Sequence, residues 1–376
     1  MELYEAQGDA ERFLMRKAEE KYLPFGGAME LLPLCNMRCR MCYIRSCDEA
    51  VKGEILPAEE WIRIGRQCVD AGVLYMLLTG GEPLLHPEFE EIYLALKNMG
   101  LVINLNTNGT LIDEARANFF AQNPCRKINI TLYGAGPETY GRLCGYPQGF
   151  EKTVNAIRLL KERGLLVNVN LTFTKDNAAD LEEMFSLCAD LGVGTKPVFY
   201  MFPPLRGGEA GSFRSARLSP EEAAAGRVRQ ILLKDPEKSA QEKARLFLAP
   251  IKYPIPLAPY GKGFYCSAAR SGFWISWQGK LLPCGMVSGF EEDLKERSFS
   301  EAWGKIVERG KETGTCRACQ ECAKRLLCPT CAAATYCETG SYAEKPDYLC
   351  RMTDATIELL LSYLEKEEAD TYRAML

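Results

Sequence analysis

The stretch CNMRCRMC, residues 35–42, constrains this chain more than any other feature of its sequence. Its three cysteines, Cys35, Cys39 and Cys42, are close enough along the chain to bind one small inorganic centre. A [4Fe–4S] cluster usually takes four cysteine thiolates, so three leave one iron without a protein ligand. That iron is free to bind a substrate or cofactor. The motif therefore indicates a reactive cluster; a zinc site or three unrelated packing cysteines are the alternatives.

The other cysteines are unevenly spread, and the chain has seventeen in all. Nine of them lie between Cys266 and Cys350. The first residues are acidic and lack the basic-then-apolar order of a secretory signal, so we expect a cytoplasmic protein. In a reducing compartment, clustered cysteines indicate metal ligands rather than disulfides.

Charge and hydropathy argue against two kinds of partner. The net charge of −4 disfavours a nucleic-acid-binding surface. No apolar run is long enough to span a membrane. A length of 376 residues is sufficient for two domains with a sizeable core.

Between residues 26 and 201, short apolar runs alternate with amphipathic segments. The predicted strands are 29–34, 73–78, 102–106, 127–132, 166–173 and 194–201, and the predicted helices are 57–71, 87–99, 112–122, 150–163 and 179–191. Strands alternating with helices predict βα units around a parallel sheet. In parallel barrels the active site lies at the carboxyl ends of the strands.

Polar motifs follow three of these strands. Gly80, Gly81, Glu82 and Pro83 follow the second strand, and adjacent glycines allow the backbone to approach a ligand closely. Glu82 offers an acceptor for an ammonium group.

Two further strand ends carry amide and hydroxyl groups. Asn106 and Asn108 follow the third strand, where an ordinary Asn-Gly turn is the alternative interpretation. Thr131 closes the fourth strand, and Arg142 lies eleven residues beyond it.

The cysteine motif, followed about forty residues later by GGEP, resembles the signature of the radical S-adenosylmethionine (radical SAM) enzymes. The resemblance implies a partial (β/α)₆ barrel in which Cys35, Cys39 and Cys42 bind a [4Fe–4S] cluster. In that family the open iron chelates SAM, and reduction releases a 5′-deoxyadenosyl radical. By the same resemblance SAM contacts Gly80, Gly81, Glu82, Pro83, Asn106, Asn108, Thr131 and Arg142. Many relatives have Asp where this chain has Tyr133.

The last third of the chain is a cysteine framework. A hairpin is predicted between residues 273–277 and 280–282, with Gly279 in its turn. The spacing of the cysteines resembles the SPASM domain, an extension that holds one or two auxiliary iron–sulfur clusters. The resemblance assigns Cys266, Cys284 and Cys331 to a first cluster and Cys319, Cys322, Cys328 and Cys350 to a second. We therefore expect three [4Fe–4S] clusters in total.

The first auxiliary cluster lacks a fourth cysteine in this pattern. We favour Cys337, while Cys316 and an open iron remain alternatives. Zinc is the other interpretation of the framework, but only five residues separate its two CxxC pairs, and zinc ribbons usually have more than twelve.

The predicted boundaries are 1–25 for an N-terminal helix, 26–205 for the barrel, 206–262 for a helical, Pro-rich linker, 263–352 for the SPASM domain and 353–376 for a C-terminal helix. Within the linker, the four prolines of residues 250–259 predict extended chain.

The resemblance implies an α/β enzyme that modifies a peptide or protein by a crosslink, thioether, oxidation or epimerisation. Its partners would be that substrate, an electron donor such as flavodoxin or ferredoxin and, in some systems, a separate peptide-recognition protein. Sulfatase maturation is an alternative, although those relatives carry Asp where this chain has Gly285. Radical chemistry on a small molecule is a second alternative, and a non-enzymatic metal-binding module is a third.

Overall fold

A computed structural model describes residues 2–44, 55–203, 210–253 and 263–376. Six parallel strands form the first part of one sheet, in the order in which they follow along the chain. They are β1 (Gly26–Glu30), β2 (Tyr75–Thr79), β3 (Val102–Thr107), β4 (Lys127–Leu132), β5 (Val167–Thr172) and β6 (Gly194–Val198). This parallel, sequential order confirms the predicted α/β barrel class.

Helices connect these strands and cover the sheet. They are α1 (Glu2–Lys21), α2 (Ala58–Asp70), α3 (Phe89–Asn98), α4 (Glu114–Gln122), α5 (Pro137–Cys144), α6 (Gly149–Glu162) and α7 (Leu181–Asp190). Helix α2 shows why they pack: Trp61, Ile64 and Cys68, spaced three and four apart, are all buried. Burying one such large side chain contributes about 2 kcal/mol. Helix α5, the carrier of Arg142, was not predicted from the sequence.

The prediction of the first strand as 29–34 was wrong in its bounds. The strand is Gly26–Glu30, and the following apolar residues leave the ladder after Leu31, whose N–H donates to the Thr79 carbonyl at 2.8 Å. The run continues to be buried without being a strand, because the chain packs against the loop that follows β2. Burial alone therefore misled the pattern-based assignment.

The C-terminal cysteine region continues the barrel sheet. Strand β7 (Gly272–Ile275) pairs in parallel with β1, and β8 (Lys280–Leu282) and β9 (Glu292–Asp293) follow in antiparallel order. The predicted hairpin is confirmed, with Gly279 in its turn at φ +80°. Nine strands thus form one continuous sheet.

The remaining helices are α8 (Ala210–Ala216), α9 (Pro220–Leu233), α10 (Ala240–Lys252), α11 (Phe299–Glu312), α12 (Arg317–Gln320), α13 (Ala332–Thr339), α14 (Asp347–Leu361) and α15 (Lys366–Arg373). Pro250 lies inside α10, so the predicted extended chain was wrong at its start; residues 254–262 lie outside the described ranges. The closing helix begins at Asp347 rather than Asp354, which places Cys350 in its first turn.

Helices α9, α10, α14 and α15 build a second apolar core beside the barrel. Val228 of α9, Leu248 of α10 and Leu360 of α14 meet there with Leu327, a neighbour of Cys328. This core holds the connecting helices against the cysteine-rich region. Within the described ranges, no helix has both the length and the apolar character needed to cross a membrane.

Candidate active site

A cavity of about 270 Å³ opens at the carboxyl ends of β2 to β6. Thr79, Thr107, Thr131, Thr172 and Val198, each at or next to the end of a different strand, contribute to its wall. Of the predicted cluster and SAM residues, the cavity brings together Cys35, Cys39, Cys42, Gly80, Gly81, Asn106, Asn108 and Thr131. The predicted strand-end position is thus where these residues meet.

The cysteine loop is fixed against helix α5. The Arg38 and Arg40 N–H groups donate to the carbonyls of Cys144 and Leu143, at 2.8 and 3.0 Å. The Arg40 guanidinium also binds both carboxylate oxygens of Asp176, at 2.7 and 2.8 Å. One guanidinium nitrogen, Nη1, makes both contacts, and this charge-assisted pair holds the cysteine loop close to Asp176. Asp176, just beyond β5, is a positioning residue that no sequence pattern indicated.

Gly80 and Gly81 are required by a close approach of two backbone segments. A Cβ on Gly80 would lie 2.6 Å from the Leu32 carbonyl oxygen, and one on Gly81 would lie 2.2 Å from that of Leu34. The Gly81 N–H donates to the Leu32 carbonyl at 2.7 Å. The two glycines therefore seat this loop directly against the segment that leads into Cys35.

Glu82 is fully buried and is engaged within the protein. Its carboxylate accepts hydrogen bonds from the Thr107 hydroxyl at 2.7 Å, the Asn108 N–H at 2.7 Å and the Leu84 N–H at 3.1 Å. Burial raises the pKa of Glu82 to about 7, although the three hydrogen-bond donors each lower it. Glu82 does not line the cavity, so the geometry gives it a role in joining the ends of β2 and β3.

Asn108 extends this network to the cysteine loop. Its side-chain N–H₂ donates to the side-chain Oδ1 of Asn36 at 2.8 Å and lies 3.7 Å from the Cys35 sulfur. Its own side-chain oxygen accepts from the Thr110 hydroxyl at 2.7 Å. Asn108 therefore connects Glu82 to Cys35. Asn36 also donates to Thr110, at 2.8 Å, and was missed because a lone Asn between two motif residues carries no distinctive pattern.

The other predicted SAM contacts are placed differently. Asn106 lines the cavity while accepting from the Asn129 amide at 2.8 Å. Pro83 is buried in a single 3₁₀ turn behind the lining. Arg142 lies outside the lining on α5, half-exposed, and its guanidinium donates to Glu138, to Thr139 and to the Asp176 carbonyl.

The cavity fits a cationic centre at the three cysteines. Burial raises the pKa of the Cys35 thiol to about 12, and the negative charges of Cys39, Glu82 and Cys42 raise it further. A thiolate in such surroundings is stable only beside positive charge, and a bound metal supplies it while displacing the proton. Burial likewise raises the pKa of Tyr133, which faces the same cysteines, so its phenol stays protonated.

The model of the radical SAM superfamily matches residues 29–188, the span that contains the cysteine loop and the first five strands. The chain therefore contains a radical SAM domain over this span. The predicted family and enzyme class are therefore confirmed, and the family implies one [4Fe–4S] cluster and SAM.

Two curated relatives extend over most of the chain. The AdoMet-dependent heme synthase of Methanosarcina barkeri is 26% identical over 344 residues, covering 85% of this chain and 95% of the relative. The PqqA peptide cyclase of Rhizobium meliloti is 25% identical over 312 residues, covering 79% of this chain and 80% of the relative.

Among solved structures, native anSMEcpe with bound AdoMet and the Kp18Cys peptide has a TM-score of 0.69 at 18% identity. The match covers 93% of this chain and 99% of that one. At this identity the similarity concerns the fold, and it includes the cysteine-rich C-terminal region as well as the radical SAM barrel.

The C-terminal cysteines form two groups around the hairpin and α13. In the first, the Met286 N–H donates to the Cys284 sulfur at 3.5 Å, and the Met286 carbonyl lies 4.0 Å from the Cys337 sulfur. Burial is the main cause that raises the pKa of Cys337 to about 12. The charges of the neighbouring Cys331, Glu338 and Cys284 raise it further. Cys337 is thus close to two of the three cysteines that the SPASM pattern assigns to the first cluster.

The second group lies between α12 and α14. Burial raises the pKa of the Cys319 thiol, and Cys316, Cys350 and Cys328 raise it further. Cys316 therefore belongs with Cys319 and not with Cys337. Burial raises the pKa of Cys350, and Cys328 and Cys322 are among the neighbours that raise it further.

Within the described ranges, no three histidine, cysteine, aspartate or glutamate side chains converge on a point where they would bind one metal ion. Thiolates that bind different irons of one cube are spread around it, so a cluster does not require this convergence. The two groups of neighbouring thiols fit such centres.

Replacing Glu82 by alanine tests the network that joins β2 to β3. We expect Glu82→Ala to lower the free energy of unfolding by roughly 3 kcal/mol, because each buried donor left without an acceptor costs about 1–3 kcal/mol. Glu82→Gln keeps one acceptor oxygen and most of the volume, and should lose less than half as much. Urea denaturation of the cluster-free proteins provides the measurement. Equal stability of Glu82→Ala and wild type would contradict the network.

Proposed function

We propose that this radical SAM enzyme modifies a peptide or protein, using the cavity at the strand ends for SAM and for the substrate side chain. The observation that carries the proposal is the character of the cavity wall. Besides the cysteine loop, the wall includes Tyr133, Val198, Tyr200, Met201 and Phe202. Among the described residues, no Asp, Glu, Lys, Arg or His lines the cavity. An uncharged side chain of a peptide suits such a wall, since unpaired charges are costly to desolvate.

In this proposal Cys35, Cys39 and Cys42 hold the [4Fe–4S] cluster that, when bound with SAM, supplies the radical that abstracts hydrogen from the substrate. Gly80 and Gly81 line the cavity beside the cysteine loop. Asn106, Asn108 and Thr131 offer neutral amides and a hydroxyl to the polar parts of SAM. Glu82 fixes Asn108, and through it the position of Cys35. Arg142 is not part of the proposed site, because it does not line the cavity and its guanidinium is engaged by Glu138, Thr139 and the Asp176 carbonyl.

Two auxiliary [4Fe–4S] clusters complete the proposal. Cys266, Cys284, Cys331 and Cys337 would hold the first, and Cys319, Cys322, Cys328 and Cys350 the second. Cys266 precedes β7 and Cys284 follows β8, and β7 pairs in parallel with β1, so the first group lies at the barrel sheet. Electron exchange between these clusters and a substrate in the cavity is part of the proposal. An external donor such as flavodoxin or ferredoxin, and a separate peptide-recognition protein, remain part of the proposal.

A tetrapyrrole is the second candidate substrate. It is favoured by the heme synthase relative, whose alignment covers 95% of that protein. Heme and its precursors carry carboxylates, which bind most favourably beside Arg or Lys. The peptide cyclase relative and the uncharged wall favour the peptide.

The deciding experiment is anaerobic reconstitution followed by turnover with each substrate class. The enzyme is supplied with SAM, dithionite or reduced flavodoxin, and either a short peptide encoded beside the gene or a carboxylated porphyrin. We expect 5′-deoxyadenosine to form together with a defined mass change in the peptide. The Cys39→Ala protein, treated identically, is the control. Conversion of the porphyrin with no change in the peptide would overturn the proposed substrate class.

A further inference from the structure

Helix α9 approaches the second group of C-terminal cysteines. Val228 on this helix packs in the second apolar core against Leu327, which directly precedes Cys328 in the chain. Helix α9 also packs along α14, the helix that carries Cys350. The contact brings a helix of the connecting segment beside cysteines that are a hundred residues further along the chain.

Arg227, next to Val228, carries a cation beside the second apolar core, against which Phe247 packs. Its guanidinium lies over the Phe247 ring, 4.8 Å from the centroid. Its Nη1 atom is buried and has no hydrogen-bond partner, and no described carboxylate forms an ion pair with it. Burial lowers the pKa of Arg227, while the negative charge of Cys328 raises it.

Two other cations nearby, Lys324 and Arg229, have carboxylate partners, whereas Arg325 lies over the Tyr265 ring, 4.6 Å from its centroid. Lys324 forms an ion pair with Asp354 at 2.6 Å. Arg229, two residues beyond Arg227 on the same helix, is half-exposed and pairs with Glu182. Arg227 is partly buried and has the uncharged Phe247 ring, but no described carboxylate, as a partner. Because burying a cation without an anion is unfavourable, negative charge at Cys328, which acts on Arg227, would stabilise it.

We propose that Arg227 is the counter-ion of an anionic iron–sulfur cluster bound by Cys319, Cys322, Cys328 and Cys350, and that its charge raises the reduction potential of that cluster. This inference rests on the auxiliary clusters of the proposed function. Four thiolates around a [4Fe–4S] core leave a net negative charge, and one-electron reduction adds another. A fixed cation nearby therefore stabilises the reduced state more than the oxidised state.

The test is a redox titration of the full-length protein carrying Cys35→Ala, Cys39→Ala and Cys42→Ala, so that only auxiliary clusters contribute. The second-cluster signal in electron paramagnetic resonance is the one that Cys328→Ala removes. Arg227→Met should shift the ratio of reduced to oxidised cluster about tenfold toward the oxidised form at a fixed potential. For one electron this corresponds to a midpoint about 59 mV lower. Arg227→Lys keeps the charge and should retain most of the wild-type midpoint.

Arg229→Met is the matched control and should leave the midpoint unchanged. A second readout separates electrostatics from packing: in cluster-free protein, Arg227→Met should raise the thermal unfolding midpoint, because an uncompensated buried charge is removed. In loaded protein the same variant should lose the second cluster faster to a chelator.

Two results would overturn the inference alone, with the clusters present. One is an unchanged midpoint in Arg227→Met; the other is a lower unfolding midpoint of the cluster-free variant, as expected for a purely structural residue. Iron analysis that finds no auxiliary cluster would overturn the inference and the proposed cluster content together.

Discussion

Replacing Cys35, Cys39 or Cys42 by alanine is expected to abolish the formation of 5′-deoxyadenosine from SAM. The three thiols meet in one cavity beside Gly80 and Gly81. With three protein ligands and one open iron, the cluster has no spare ligand, and losing one thiolate leaves a second iron without a protein ligand. We therefore expect loss of product to the detection limit in an anaerobic assay with dithionite, measured by chromatography and mass spectrometry.

The control is Cys188→Ala, which removes a buried thiol from α7, far along the chain from the motif. It should keep SAM cleavage near the wild-type level, at the cost of some stability from the small cavity it leaves. Each motif variant should still contain auxiliary iron, because the C-terminal cysteines lie on other elements. Any motif variant that cleaves SAM at a near wild-type rate would show that the motif does not hold the radical cluster.

The strands and helices of the barrel could be predicted from the sequence, because each βα unit has its own apolar pattern and its own helix-ending residues. Strand β4, Lys127–Leu132, coincides with its prediction, since alternating burial and a flanking loop define it. Helix α3 ends just before Gly100, whose φ of +92° lies in the region that favours glycine. Errors were confined mostly to bounds, as with β1.

The pairing of strands that are far apart in the chain could not be predicted from the sequence. Strand β1 pairs in parallel with β7, with Gly26 opposite Gly272, although the two strands are far apart in the chain. Neither strand has a sequence pattern that identifies the other as its partner. Pro250 was similarly misread, because the last turn of α10 tolerates a proline that packing supports.

For the site, motif spacing predicted which residues meet but not what each one contacts. Glu82 was expected to face SAM, yet its oxygens accept three hydrogen bonds from inside the protein. The ammonium-binding role of Glu82 remains a prediction. Asn36, Asp176 and Arg227 act through tertiary contacts with distant segments, and such contacts have no signature in one sequence.

Replacing Cys337 by alanine should destabilise the first auxiliary cluster selectively. Cys337 lies on α13, which begins directly after Cys331, and the Met286 backbone bridges its sulfur to that of Cys284. A fourth thiolate from this position would complete the ligand set begun by Cys266, Cys284 and Cys331. Reconstituted wild-type protein should contain about twelve irons, from three cubes of four.

In Cys337→Ala, the first-cluster signal should become labile or accessible to an added thiol, and iron should fall toward eight per chain, roughly one cube fewer. The second cluster should remain, because Cys319 and its neighbours are untouched. Iron analysis and Mössbauer or electron paramagnetic resonance spectra of the two proteins provide the comparison.

Cys316→Ala is the matched variant, since its thiol lies beside Cys319 in the other group. It should leave the first-cluster spectrum unchanged, which distinguishes the two cysteines that the sequence left as alternatives. An unchanged first-cluster spectrum in Cys337→Ala would refute this ligand and favour an open iron, to which a substrate thiol or amine would have access. Four irons per chain, or stoichiometric zinc, would refute both auxiliary clusters, because two full cubes cannot be assembled from so little iron.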